Sequence, residues 1–201
     1  MRPVPQFVQR DPLAPGFWDE RFEHQFMPWD QGGVPPQLAR FVAQAPAPLT
    51  TLIPGCGLGY EVRHLAQAGW DVTAIDFSPA AVAAAKAALG EFAGHVQQAD
   101  FFSFVPPQPV GFMYERAFLC ALPRARWPAV IAHWAALLAP GALLGGFFFY
   151  DTAPKGPPFG ADRAALDSAM QPYFALLEDA AAEQSIAVFE GKERWQLWRR
   201  R

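Results

Sequence analysis

The segment Ile53-Pro54-Gly55-Cys56-Gly57-Leu58-Gly59 follows a short apolar run and precedes a helical pattern. Glycines let backbone N–H groups approach a ligand closely, at the positive end of the helix that follows. Read alone, the run is also open to reading as a tight strand-to-helix turn with no ligand. Two further positions narrow the chemistry. Asp76, seventeen residues past Gly59, stands where the next strand should end, and a carboxylate there can accept two hydrogen bonds from the hydroxyls of a ribose. Asp100-Phe101 stands at the end of the strand after that, an acceptor beside an aromatic ring, suited to the amino group and face of an adenine.

The dinucleotide fingerprint is G-x-G-x-x-G, and here Tyr60 occupies the third glycine position, with Gly59 one place too early. A pyrophosphate is therefore a poor match. S-adenosylmethionine carries no phosphate, only a carboxylate, an ammonium and a sulfonium, and a looser glycine turn with nearby acceptors suits it better.

The elements that must position these groups alternate along the chain. The pattern predicts strands at Thr50–Ile53, Asp71–Ile75, His95–Gln98, Phe112–Tyr114, Ala142–Tyr150, Phe174–Leu177 and Arg194–Trp198. Between them it predicts helices at Tyr60–Ala68, stopped by Gly69, and from the Ser78 N-cap and Pro79 to Gly90, then at Trp127–Leu138 and Asp162–Met170. Such alternation implies an α/β fold, a mainly parallel sheet covered on both sides through right-handed crossovers, with the ligand outside the carboxyl ends of its strands. Residues 1–48 read as a proline-punctuated arm with two helical pieces. One carries Phe22, Phe26 and Trp29 on a single face and is ended by Pro28, and the other runs from Pro36 to Gln44. Residues 49–201 form the rest of what is one domain overall.

Composition excludes much else. With 52% hydrophobic and 17% charged residues the chain can bury a core, and a net charge of −3 gives no general attraction to nucleic acid or anionic lipid. The two cysteines, Cys56 and Cys120, can build neither a disulfide framework nor a thiolate cluster, and a reducing compartment, the cytoplasm, is expected. The opening Met1-Arg2-Pro3-Val4-Pro5 lacks a secretory apolar run. His24, His64, His95 and His133 show no metal-ligand spacing, and no G-x-S-x-G elbow is present.

Four stretches are more distinctive: Pro54-Gly55-Cys56-Gly57; Ala74-Ile75-Asp76-Phe77-Ser78; Tyr114-Glu115-Arg116-Ala117-Phe118-Leu119-Cys120-Ala121-Leu122-Pro123; and Gly156-Pro157-Pro158-Phe159. With the arm Phe17-Trp18-Asp19-Glu20-Arg21-Phe22 through Pro28-Trp29-Asp30, and Gly191-Lys192-Glu193-Arg194, they resemble the thiopurine S-methyltransferase family, which includes bacterial thiol methyltransferases and plant halide/thiol methyltransferases. The resemblance implies the class I methyltransferase fold, a seven-stranded sheet with an N-terminal aromatic lid, and S-adenosylmethionine as donor with S-adenosylhomocysteine as product. It further implies donor contacts from Trp18, Trp29, Gly55, Asp76 and Arg116, with Asp100 and Phe101 at the adenine; Cys56, Gly57 and Phe77 complete the expected donor site. Trp29, Arg116 and Tyr150 are expected at the acceptor. Glu115 stands where relatives more often carry aspartate and reaches one methylene further.

The expected reaction is in-line methyl transfer to a small soft nucleophile such as a thiol, halide or chalcogen compound. Phe17, Trp18, Phe22, Phe26 and Trp29 would cover the site, and the permanently charged Arg116 would attract an anion or hold the donor carboxylate. No side chain is assigned acid, base or nucleophile duty, Cys56 included. A nicotinamide-dependent oxidoreductase and a non-catalytic donor-binding module are the alternatives. A monomer or weak homo-oligomer acting on a small molecule, without nucleic acid, membrane or metal, completes the expectation.

Overall fold

A computed structural model describes residues 5–201, so the opening residues read above as lacking a secretory run lie outside it, save Pro5. Seven strands, β1 (Thr51–Pro54), β2 (Val72–Asp76), β3 (Val96–Gln98), β4 (Val110–Arg116), β5 (Leu138–Phe149), β6 (Phe174–Ala181) and β7 (Glu193–Arg200), form one sheet in the order β3-β2-β1-β4-β5-β7-β6. Strands β1 to β5 pair in parallel, whereas β7 pairs antiparallel with both β5 and β6 and so runs alone against the rest. Strand order reverses between β1 and β4, which opens a crevice at their carboxyl ends.

Among the described residues six α-helices accompany the sheet: α1 (Pro15–Glu23), α2 (Pro36–Gln44), α3 (Tyr60–Gln67), α4 (Pro79–Leu89), α5 (Trp127–Leu137) and α6 (Arg163–Met170). Alternating strand residues feed two cores, one on each face. Leu52, Met113, Leu144 and Phe148 pack with Trp134 of α5 and Met170 of α6, while Ile53, Phe112 and Phe147 pack with Leu38 of α2, Leu65 of α3 and Ala85 of α4. None of the helices in the described residues is long and apolar enough to cross a membrane.

Several boundaries differ from the sequence expectation for identifiable reasons. Strands β6 and β7 extend further than predicted because β6 is an edge strand, where Glu178 and Asp179 break the apolar pattern without breaking the pairing. Strand β5 runs through Pro140-Gly141 because the β4/β5 ladder shifts register between Val110 and Phe112 and needs no amide from the proline there. The arm departs most. Helix α1 starts on Pro15 at its first turn and ends at Glu23, so Phe22, Phe26 and Trp29 do not share one helical face. Gln25 takes a left-handed φ of 51°; its N–H donates to the Phe22 carbonyl, and the Phe26 N–H donates to the Arg21 carbonyl. That pattern closes a helix and turns the chain, here with glutamine in the place glycine usually takes.

Candidate functional site

The turn after β1 is built on positive backbone angles, φ 63° at Gly55 and 55° at Gly57. A Cβ on Gly55 would lie 2.9 Å from the Phe118 ring, whereas one on Gly57 would meet nothing within 4 Å because the crevice opens above it. The Gly55 N–H donates to the Ile75 carbonyl, locking the turn to the end of β2. Trp18, Trp29, Gly55, Cys56, Gly57, Asp76, Phe77, Asp100, Phe101 and Arg116 all line this one cleft, whose volume is about 760 Å³. Residues from five segments far apart in the chain are thus brought together.

Asp76 ends β2, and its carboxylate accepts the Ser78 N–H at 2.9 Å. Burial pushes its carboxyl up to about 6. Asp100, after β3, accepts the Phe102 N–H at 2.9 Å, and that turn presents Phe101 edge-on to Phe118 and His133, with ring centroids 5.0 and 4.8 Å apart.

Arg116 ends β4. Its side chain is only 7% exposed, its guanidinium carbon lies 4.7 Å from the centre of the Phe147 ring, and Nε, Nη1 and Nη2 all lack a hydrogen-bond partner among the described residues. Glu61 Oε1, on α3, stands 4.0 Å from Nη1, beyond hydrogen-bond reach, and takes a 3.5 Å hydrogen bond from the Tyr114 hydroxyl. Burial pushes the Glu61 carboxyl up and Arg116 draws it back. Leaving several guanidinium donors buried and unmet is costly. The arrangement suits an anionic group entering from the cleft, such as the carboxylate of an amino-acid ligand. Alone, Glu61 is indistinguishable in sequence from an ordinary surface acid in the first turn of α3.

The arm covers the cleft. Trp18 donates its indole N–H to the Pro12 carbonyl at 2.9 Å and meets Trp29 edge-to-face at 5.4 Å, and Phe22 meets Trp29 at 6.1 Å. The aromatic cluster expected from a single helix face therefore forms, but by a helix and the loop after it. Cys120, Pro157, Pro158 and Phe189 make an apolar wall of the cleft, and Trp29 of the arm packs against the cluster that holds Cys120 and Phe189. The Phe159 N–H donates to the Cys120 carbonyl at 2.7 Å, tying the Gly156-Pro157-Pro158-Phe159 loop to the segment after Arg116. Burial is the first cause that pushes the Cys56 and Cys120 thiols up, which makes both poor nucleophiles.

Two residues sit elsewhere. Tyr150 does not line the cleft: its hydroxyl donates to Gln196 Oε1 at 3.0 Å, its ring lies 5.4 Å from the Arg163 guanidinium, and burial pushes its phenol up to about 12. Glu115 turns inward, accepting the N–H groups of Phe118 at 3.3 Å and Leu119 at 3.2 Å, with burial raising its carboxyl to about 8. It supports the turn that follows Arg116 and does not face the cleft.

A family model described as Thiopurine S-methyltransferase (TPMT) matches residues 13–201. Among curated proteins, the chain is 28% identical over 196 residues to Thiocyanate methyltransferase 1 of Arabidopsis thaliana, covering 92% of this chain and 85% of that one. It is 30% identical over 198 residues to a Thiopurine S-methyltransferase of Gluconobacter oxydans, covering 85% and 87%. Among solved structures, the magnesium protoporphyrin IX methyltransferase of Synechocystis, solved with bound SAM, aligns with TM-score 0.73 at 16% identity over 98% of this chain and 100% of that one. The 1,6-didemethyltoxoflavin-N1-methyltransferase of Burkholderia thailandensis, solved with S-adenosylhomocysteine, aligns with TM-score 0.74 at 14% identity over 98% and 93%. At such identities the structural likeness speaks for the fold, which is that of the class I methyltransferases.

Proposed function

The chain belongs to the thiopurine S-methyltransferase family of S-adenosylmethionine-dependent S-methyltransferases, and from that premise we propose that its cleft transfers a methyl group to a small thiol or similarly soft nucleophile. The observation that carries this reading is the buried guanidinium of Arg116, unpartnered among the described residues between the acidic crevice of β1–β3 and the apolar wall of Cys120, Pro157, Pro158 and Phe189. Asp76 holds the ribose hydroxyls, Asp100 and Phe101 hold the adenine, and Gly55, Cys56 and Gly57 leave the backbone open to the donor. Phe77 borders the ribose. Arg116 holds the donor carboxylate and adds a positive field that favours an anionic acceptor. Trp18 and Trp29 cover both.

S-adenosylmethionine supplies an electrophilic methyl group on a sulfonium. The protein's share is alignment and dryness, since a thiolate meeting a cationic carbon loses charge as it reacts and needs no acid to help it. Holding two reactants in line is worth up to roughly 7–11 kcal/mol. A free thiol near pKa 8.5 is only a few per cent ionised at neutral pH, so the Arg116 charge near the acceptor raises the reactive fraction. The aromatic cover and the proline wall strip water from the nucleophile. Within the arm of residues 1–48, the stretch from Phe7 to Gly33 acts as the cover while α2 packs on the sheet, and 49–201 act as the donor-binding domain. The two buried free thiols, Cys56 and Cys120, support the cytoplasm as its compartment.

The test is incubation with methyl-labelled S-adenosylmethionine and a panel of aromatic thiols, hydrosulfide, thiocyanate, iodide, and oxidised selenium and tellurium species, with products read by mass spectrometry. Labelled methyl on a thiol-type acceptor, with one S-adenosylhomocysteine formed per transfer, is expected. Donor binding with no turnover on any acceptor would leave a binding module, and micromolar NAD binding without donor binding would leave an oxidoreductase.

A further inference from the structure

Asp19 lies in the arm, on α1, and its contacts are made far along the chain. Its Oδ1 accepts the Ser78 hydroxyl at 2.5 Å and the Ala80 N–H at 3.1 Å, at the first turn of α4. Ser78 is fully buried and spends each of its polar groups on a different partner. Its N–H goes to Asp76 Oδ1 at 2.9 Å, its Oγ accepts the Ala81 N–H at 3.0 Å as the N-cap of α4, and its hydroxyl proton goes to Asp19. One serine therefore joins the arm to the carboxylate read above as the ribose holder.

The pairing is not a by-product of generic packing. A helix start leaves backbone N–H groups without partners, and a carboxylate placed there is favoured by the helix dipole. Ser78 meets the Ala81 N–H from within the local sequence, whereas the Ala80 N–H is met by an acid fifty-nine to sixty-one residues earlier than its partners. The next residue before it, Trp18, lines the cleft and carries Trp29 against its edge. Fixing Asp19 on α4 thus fixes where the two indoles sit over the crevice.

We propose that Asp19 is a positioning residue of the methyl-transfer reaction, which sets the aromatic cover over the donor by clasping Ser78 and the first turn of α4. The inference rests on the reading that this cleft holds S-adenosylmethionine. It predicts that the link acts on donor binding first, because the residue at its far end is Asp76, and less on acceptor affinity, because neither Asp19 nor Ser78 lines the cleft.

The test uses the full chain with Asp19→Ala and Asp19→Asn, S-adenosylhomocysteine titrations by calorimetry, steady-state kinetics with the best thiol from the panel, and thermal melts. Asp19→Ala should weaken S-adenosylhomocysteine binding and raise donor KM roughly tenfold, as expected for the loss of two part-buried hydrogen bonds, and should lower kcat because the freed cover readmits water, while acceptor KM stays within about threefold of wild type. Asp19→Asn keeps an oxygen that can accept both bonds and should restore donor affinity to within about threefold. If Asp19→Ala does not fold, Asp19→Leu, branched like aspartate and without an acceptor, cuts both bonds while keeping the Ser78 cap of α4, and is judged by the same split. Donor affinity within twofold of wild type in the alanine variant, or an equal loss in kcat and both KM values that Asn does not repair, would overturn the proposal and leave Asp19 a structural bracket. Failure of the wild-type protein to bind S-adenosylhomocysteine would instead overturn the reading of the cleft itself.

Discussion

The guanidinium of Arg116 stacks 4.7 Å from the centre of the Phe147 ring, yet Glu61, its carboxylate neighbour, stands 4.0 Å away, beyond hydrogen-bond reach. The ring and the strand hold the guanidinium in place, and Glu61 offsets part of its charge while leaving its N–H donors without a hydrogen-bond partner among the described residues. A buried charge held in this way lowers the stability of the empty protein and is compensated when an anion arrives. Arg116→Met should therefore leave Tm unchanged or raise it while abolishing most turnover. Losing a buried hydrogen-bonded charge pair with the ligand costs about 2–5 kcal/mol, and a donor titration alongside a thermal melt checks both halves. A fall in Tm together with unchanged donor affinity would assign Arg116 to the core.

Asp76 gives a pH signature. Its folded carboxyl is raised to about 6, chiefly by burial, against about 3.9 in an unfolded chain. A raised carboxylate contributes stability that is fully present below the unfolded value and is lost as pH rises through the folded one. Asp76→Asn should therefore raise Tm at pH 7.5 relative to wild type and leave the two alike near pH 4. Ribose hydroxyls donate better to the ionised form, so wild-type affinity for S-adenosylhomocysteine should fall as pH drops through about 6. The Asn variant should bind more weakly, by about 1–3 kcal/mol at neutral pH, and show no such limb. Calorimetric titrations at several pH values read both.

Trp29 touches Trp18 and Phe22 on the covering side of the cleft. Trp29→Ala should lower kcat more than it lowers donor affinity, because an open cover readmits water to the nucleophile while the ribose and adenine contacts remain. Equal losses in single-turnover rate and in S-adenosylhomocysteine affinity would make the indole a binding wall alone.

Glu115 supplies a second pH effect at a different place. Burial raises its carboxyl to about 8, and it serves as acceptor for the Phe118 and Leu119 amides. Its contribution to stability is complete below the unfolded value near 4.3 and disappears as pH rises through about 8. Glu115→Gln keeps an acceptor oxygen and removes the ionisation, so its Tm should exceed that of wild type at pH 9 and match it more closely at pH 6.5. Melts of variant and wild type at those two values read the effect, because the Asp76 titration is common to both proteins.

Much of the candidate crevice was legible in sequence because each of its parts is local in the chain. A glycine turn needs its positive φ angles where the glycines are, and an aspartate that ends a strand is placed by the strand. The alternation of Leu52 with Ile53, or Phe147 with Phe148, carries the two faces of the sheet in a period of two, and this is why the strand and helix order could be read directly. The edge strand β6 was read short because solvent tolerates Glu178 and Asp179 where a central strand would not.

What only the tertiary structure decided is which distant side chains meet. The lack of a hydrogen-bond partner for Arg116 among the described residues depends on how far α3 brings Glu61 toward β4, a matter of packing distance that no spacing encodes. Tyr150 lies just past the end of β5, bridged to Ala161, and that pairing turns its hydroxyl to Gln196 and away from the cleft. Asp19 finds Ser78 across fifty-nine residues because the arm folds back over the sheet. Periodicity and turn chemistry act through neighbouring bonds and survive in the one-dimensional chain, while contacts such as these exist only once the two faces of the sheet and the arm are closed upon one another.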